Sequence, residues 1–401
     1  MKLPRLNVKS FRIAHFGLAL AMLAGPASAQ QQSVMQGAES APARYTVTDL
    51  GVVGNPPAQP YFITNNGLIG GGAATPAGNL HAALWFEGAK FDIGTTGLGG
   101  PNNIAYGVNR FGQTVGAAET SVTDAEDFCG FNAYGFPSAA ACRPFLWQDG
   151  VMTALETLGG ENGFANMINH RGQVAGLAET AAKDPASGCP VHRFAPVVWA
   201  NGKIYALPTA PGDSDGVAAS INDNGEAAGA SGTCAPFNPN SGLYLTENHA
   251  LVWKNGKATD LGNLGPNGLP GAGNHACAIN NRGEAVGHVT SKASTVAFLW
   301  SSEKGLKGLG TLDGDLASFA LGLNDEGQVV GQSIGPEFST FRAFLWDKGT
   351  MTDLNTLVVA NPAKLYLLLA VSINSRKEIT GLAVDGAGAY HGYLAMPRSR
   401  E

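Results

Sequence analysis

All six tryptophans of the chain close a short apolar run. The runs read HAALW (ending at Trp85), RPFLW (Trp147), APVVW (Trp199), HALVW (Trp253), VAFLW (Trp300) and RAFLW (Trp346). A tight turn follows each: EG, QDG, NG, NG, EKG or DKG. A second run comes next: KFDIG (90–94), VMTALE (151–156), KIYALP (203–208), KATDLG (257–262), GLKGLG (305–310) or TMTDLN (350–355). Random placement does not give six residues one setting. The chain is a repeat with 46 to 62 residues from Trp to Trp, and a period of that size restricts it to solenoids, propellers or arrays.

Between the tryptophan runs lies a second pattern, Ala-x-small-Ile-Asn-x-x-Gly-x-x-x-Gly. It occurs as AYGVNRFGQTVG (105–116), ANMINHRGQVAG (165–176), AASINDNGEAAG (218–229), ACAINNRGEAVG (276–287) and ALGLNDEGQVVG (320–331). PYFITNNGLIGG (60–71) and AVSINSRKEITG (370–381) are weaker copies, making seven. Each reads as two strands joined by a tight turn. Asn bonds its own backbone there, and Gly supplies the positive φ that ends the loop. Lys377 stands where the last copy should have that Gly. The expectation is a different turn, or strain of roughly 1 kcal/mol.

One unit is therefore four strands in an antiparallel meander, the signature of a propeller blade. The termini choose a closed ring over an open stack. The seventh unit reaches a third strand, HGYLAM (391–396), and no fourth follows. YTVTDLG (45–51) is a fourth strand with no unit before it. The fold predicted is all-β, one seven-bladed propeller over 45–397, with 45–51 as the outermost strand of the last blade. Residues 30–44 read as a linker and 398–401 as a tail.

Let strands a to d run outward from the axis. Strand a begins with Ala in six of seven copies, because blades crowd near the axis. At strand c the blades splay and the gap needs bulk. A Trp there buries about 200 Å² and contributes roughly 5 kcal/mol before entropy is counted. Where a seventh Trp belongs the chain has Ala395, so looser packing is expected in the closing blade.

Units reading HAFLW-x-x-G-x-M-T-D-L-G…A-x-x-I-N-x-x-G-Q-V-V-G resemble the HAF-type extracellular repeat family. The resemblance covers nearly all of 45–397 and is best over 296–355 and 143–176. It implies a repeat architecture and export, and no particular activity.

Export is also legible in the first residues. Lys2, Arg5, Lys9 and Arg12 precede the apolar stretch FGLALAMLAG (16–25), and Ala27-Ser28-Ala29 forms a small-residue cleavage site. This reads as a signal peptide over 1–29, with the mature chain secreted or periplasmic from Gln30. No later stretch is apolar and long enough to span a membrane. The leader holds four of the 25 basic residues and none of the 31 acidic ones. An acidic mature chain without a basic stripe is a poor partner for nucleic acid. The partner expected is a protein or a glycan, bound by a monomer.

An exported chain suits disulfides. Cys129, Cys142, Cys189 and Cys234 fall in the long b–c insertions of blades two to four, and the favoured pairs are Cys129–Cys142 and Cys189–Cys234. Cys277 lies within a strand and reads as a small buried filler. No CxxC spacing, H-E-x-x-H or G-x-S-x-G is present, so no metal or cofactor is expected and catalytic residues stay unknown.

The a–b and c–d turns share one face and are short. The b–c and d–a connections share the other, vary, and make it the expected functional face. Its candidates are the loop aromatics Phe128, Phe131, Tyr134, Phe136, Phe237 and Tyr244. They form either a stacking platform or packing for the loops. Around the channel mouth stand Asn102, Asn103, Glu161, Asn162, Asp213, Asp215, Asn274, His275, Asp313 and Asp315. Two readings follow: a binding module, or a hydrolase or lyase on extracellular glycan if several of those carboxylates converge. His81, His249 and His391 share the start of strand c with Arg143 and Arg342, which points to a blade-position role.

Overall fold

The computed structural model describes residues 44–52, 59–124, 128, 139–183, 191–238, 243–264, 273–291 and 294–398. The leader, most of the linker, and Cys129, Phe131, Tyr134, Phe136 and Cys189 lie outside them. Among the described residues no helix is long and apolar enough to cross a membrane.

Seven sheets surround one axis; six are antiparallel meanders in chain order, and the seventh joins strands from both ends of the fold. The third is typical: Gly159–Ile168, Val174–Lys183, His192–Ala200 and Lys203–Ala206 form strands a to d. Blade four carries in addition a two-stranded hairpin, Cys234–Asn238 with Leu243–Leu245, in its b–c connection. Tyr45–Val52 runs antiparallel to Tyr390–Pro397 and completes the last blade. It is not the outermost strand, as the sequence suggested. Val358–Ala360 pairs parallel with it on the outside, Tyr45 opposite Val358. That short strand shields an edge that would otherwise be open to foreign pairing.

The tryptophans sit between blades at strand c as expected, but not equally. Trp85, Trp199, Trp253 and Trp346 are buried, whereas Trp147 and Trp300 are half-buried. The indole N–H reaches the outer strand region of the preceding blade. Trp85 donates to Leu50 O at 3.3 Å, Trp199 to Glu156 O at 2.8 Å and Trp253 to Pro208 O at 2.7 Å. The closing blade is not loose at Ala395. Ala395 is fully buried in a cluster with Tyr45, Leu354 and Leu357. The last two come from the one-turn helix Leu354–Leu357, which precedes the covering strand and supplies the missing bulk.

Every a–b turn is built alike. In blade four the Asn222 Oδ1 accepts from the N–H of Asn224 at 3.0 Å and of Glu226 at 2.9 Å. Its Nδ2 donates at 2.8 Å to the carbonyl of Asn280, the same residue of the next blade. This stitch recurs from Asn109, Asn169, Asn280 and Asn324, and from Asn374 to Thr64 O across the closure, so six of seven joints carry it. Thr64 of blade one has no amide to give. Lys377 keeps the common turn at φ +63°, which is strain rather than a new conformation.

Candidate functional site

The polar residues of the d–a loops act mainly as staples between blades. A backbone N–H near the start of strand c is bonded by a side chain of the next blade. Leu80 N donates to Asn102 Oδ1 at 3.0 Å, Cys142 N to Asn162 Oδ1 at 3.0 Å and Phe194 N to Asp215 Oδ1 at 2.9 Å. Asn103 takes Ala82 N at 2.9 Å, and Asn274 donates to Asn248 O at 2.9 Å. These residues are buried.

The carboxylates are committed in the same way. Asp213, 2 % exposed, accepts from Ser231 Oγ at 2.6 Å and Asn248 Nδ2 at 2.8 Å, and pairs with His249 Nδ1 at 2.8 Å. Glu161 pairs with Arg143 at 2.7 Å and Asp315 with Arg342 at 2.8 Å. Asp313 is exposed, and its carbonyl accepts from Arg342 at 2.9 Å. His81–Asp92 at 2.9 Å and His391–Asp49 at 3.0 Å complete a repeated motif in which the first side chain of strand c holds a carboxylate. That is the blade-position role the shared register suggested. Asp313 and Asp315 share Arg342, whereas Glu161, Asp213 and Asp215 serve other partners, and none of the five lines the cavity described below.

Phe128 is 3 % exposed, stacks on Phe164 at 5.6 Å and meets Phe194 edge-on at 5.5 Å. Its ring packs against the body. Phe237 and Tyr244 lie on the two hairpin strands of blade four. His275 is buried, with Nδ1 at 2.8 Å from Glu247 and its ring parallel to that of His288 at 6.1 Å. Burial, then the nearby His275 charge, pushes the His288 imidazole well below its ordinary pKa. Burial, then the Glu247 charge, pushes the Cys277 thiol up, so this free buried cysteine stays protonated.

The opposite face, ringed by the a–b turns, holds a cavity of about 140 Å³ around the axis. Strand a of blades one and two sends Tyr61 and Tyr106 toward its floor, 5.3 Å apart and edge-on. Burial raises both phenols well above their ordinary range, so both stay neutral. The rim is made in six blades by the residue after the turn Asn or Thr64, namely Asn65, His170, Asp223, Asn281, Asp325 and Ser375; Arg110 of blade two stands outside it. A second belt joins these tips. His170 N donates to Asp223 Oδ1 at 2.8 Å, Asp223 N to Asn281 at 2.9 Å, Asn281 N to Asp325 at 2.8 Å, and Ser375 N to Asn65 at 2.9 Å. Partial burial alone would raise the Asp223 carboxyl. The hydrogen bonds and charge of His170, 2.8 Å away, together with Asn281, outweigh it and hold that pKa low. The sequence carried one signal for these residues: in the frame Asn-x-x-Gly they occupy the first variable place.

No family model matches the chain, and no curated protein does. Among solved structures it is similar to the β-propeller domain of the Trilobed protease from Pyrococcus furiosus. That likeness has 7% identity and TM-score 0.46, over 88% of this chain and 95% of that one. A Mycobacterium tuberculosis puromycin-hydrolyzing peptidase matches at 11% identity and TM-score 0.49, over 88% of this chain and 56% of that longer protein. YCF48 bound to D1 peptide matches at 10% identity and TM-score 0.47, over 90% and 97%. At such identities the likeness concerns fold alone.

Proposed function

We propose that this chain is an exported binding module whose ligand enters the axial cavity from the a–b turn face. The cavity carries the reading: it is a concave space with neutral phenols at its floor and a rim of amides, hydroxyl, imidazole and carboxylates. Export, the HAF-type repeat and the pairs Cys129–Cys142 and Cys189–Cys234 belong to the same proposal, the disulfides tying long loops on the other face. The separate commitments of Glu161, Asp213, Asp215 and Asp315 favour binding over hydrolysis by those groups. The test is a thermal-shift screen of glycans, peptides and small molecules on wild type and Ser375→Trp. Ser375 is exposed and joins the belt through its backbone, so the indole can cover the mouth without breaking that bond. Ligands that stabilise wild type and not the variant support the reading. Shifts equal in both would place binding elsewhere, and no shift in either removes the module.

A further inference from the structure

One corner of this mouth departs from the repeat. In blades three, five and seven the second turn residue is Arg171, Arg282 or Arg376. Its guanidinium crosses to the next blade and lies over the turn glycine, Gly225, Gly327 or Gly67, where an added Cβ would meet it at 2.8, 2.7 or 2.6 Å. Blade two has Phe111 at that place. Its ring is 62% exposed, lies 4.8 Å from the Arg110 guanidinium and meets His170 edge-on at 6.3 Å. The charges differ as well. Arg282 is neutralised by Glu284 at 2.6 Å and Arg376 by Glu378 at 2.7 Å. Blades two and three carry Gln113 and Gln173 where those glutamates stand. Among the described residues Arg110 and Arg171 have no ion pair. A lone exposed ring is ordinary. An exposed ring against one uncompensated guanidinium, next to a turn that carries a second reaching toward Gly225, is a place where a local rule is broken without structural gain.

We propose that this corner binds an acidic saccharide, a pyranose carrying a carboxylate. This rests on the reading of the mouth as the binding face and names its ligand class. The C–H face of the sugar lies on Phe111, and its carboxylate meets Arg110, with the charge of Arg171 on the neighbouring turn adding to the attraction. The exposed amides of Asn65 and Asn66 are at hand for its hydroxyls, with Asn66 Nδ2 3.4 Å from Arg110 O. The whole chain is acidic at −6, so a polyanion gains attraction only locally, and binding weakens as salt rises.

Calorimetric titrations decide it, using oligogalacturonate, its methyl ester and a sulfated oligosaccharide as probes. The proteins are wild type, Phe111→Ala, the double variant Arg110→Ala/Arg171→Ala, Ser375→Trp, and Arg282→Ala as a control. All four substituted side chains at the corner and rim are exposed, so folding is retained and checked by melting. Wild type is expected to bind the free acid about ten-fold or more tighter than the ester, from charge-assisted bonds to Arg110 and the added charge of Arg171. The double variant loses that preference, Phe111→Ala weakens both ligands, and the control behaves as wild type. Equal binding of acid and ester, undiminished binding by Phe111→Ala, or equally tight binding of the sulfated probe would each overturn the proposal. A different ligand lost in Ser375→Trp while oligogalacturonate is ignored would sink this inference and leave the module standing. No ligand sensitive to Ser375→Trp would remove both.

Discussion

Tryptophan 253 shows what one residue does here. It is 1% exposed, fills the splay between blades and ties its N–H to the neighbouring blade at 2.7 Å. Trp253→Ala is expected to cost about 3–5 kcal/mol, as large core deletions do. Half-buried Trp300 should cost clearly less, and paired denaturant melts of the two variants check the ranking. His288 gives a pH dependence of definite sign. Its imidazole is neutral in the fold and regains its ordinary pKa near 6.5 on unfolding, so below that value the unfolded chain binds the extra proton. Its share of stability is therefore intact above about pH 6.5 and falls by about 1.4 kcal/mol per unit below it. His288→Phe should flatten that acid limb in melts taken between pH 8 and pH 5; an unchanged limb would assign it to other groups.

At the scale of strands and turns, most of the architecture was legible. The strand-c Trp and the turn Asn each recur in six of seven blades because local geometry demands them, and local demands leave a sequence pattern. Three things were not legible. Val358–Ala360 is too short to declare itself. The buried roles of Asn162 and Asp215 depend on which N–H of the preceding blade faces them, and that is set by packing. The mouth at the turn face was passed over because its turns look uniform, although Asp223 and Asp325 vary inside the uniform frame. The turn itself makes a test. Asn222→Ala removes two backbone caps, the contact to Glu226 and the stitch to Asn280, leaving buried groups unpaired. About 3 kcal/mol should be lost, with hydrogen exchange rising in the turns of both blades four and five. Faster exchange confined to blade four would show that the stitch does not couple them.

For the molecule as a whole, the decisive element is the strand that joins the two ends of the fold. Tyr45 is fully buried and Val47 nearly so, in the cluster that also contains Ala395. A chain starting at 53 should lose the cooperative melt and expand in small-angle scattering, because the last blade then exposes that cluster. A compact, cooperatively melting product would mean that the closure adds little. Contacts between residues more than three hundred positions apart, such as Asn374 with Thr64, also predict slow folding.

The gap at Thr64 has a consequence of its own. Seven units set at a fixed pitch complete a circle only if their angular errors cancel, and identical fasteners at all seven seams would leave no place for the remainder to go. At the a–b turns six seams are fastened by the amide stitch, and the one between blades one and two has in its place the longer Asn66 contact at 3.4 Å. If this turn serves as an expansion joint, it takes up the misfit that the others hand on. Thr64→Asn should then bring little or no rise in melting temperature despite completing the set, whereas a gain of a full stitch, about 1 kcal/mol, would mean that the circle closes true without it.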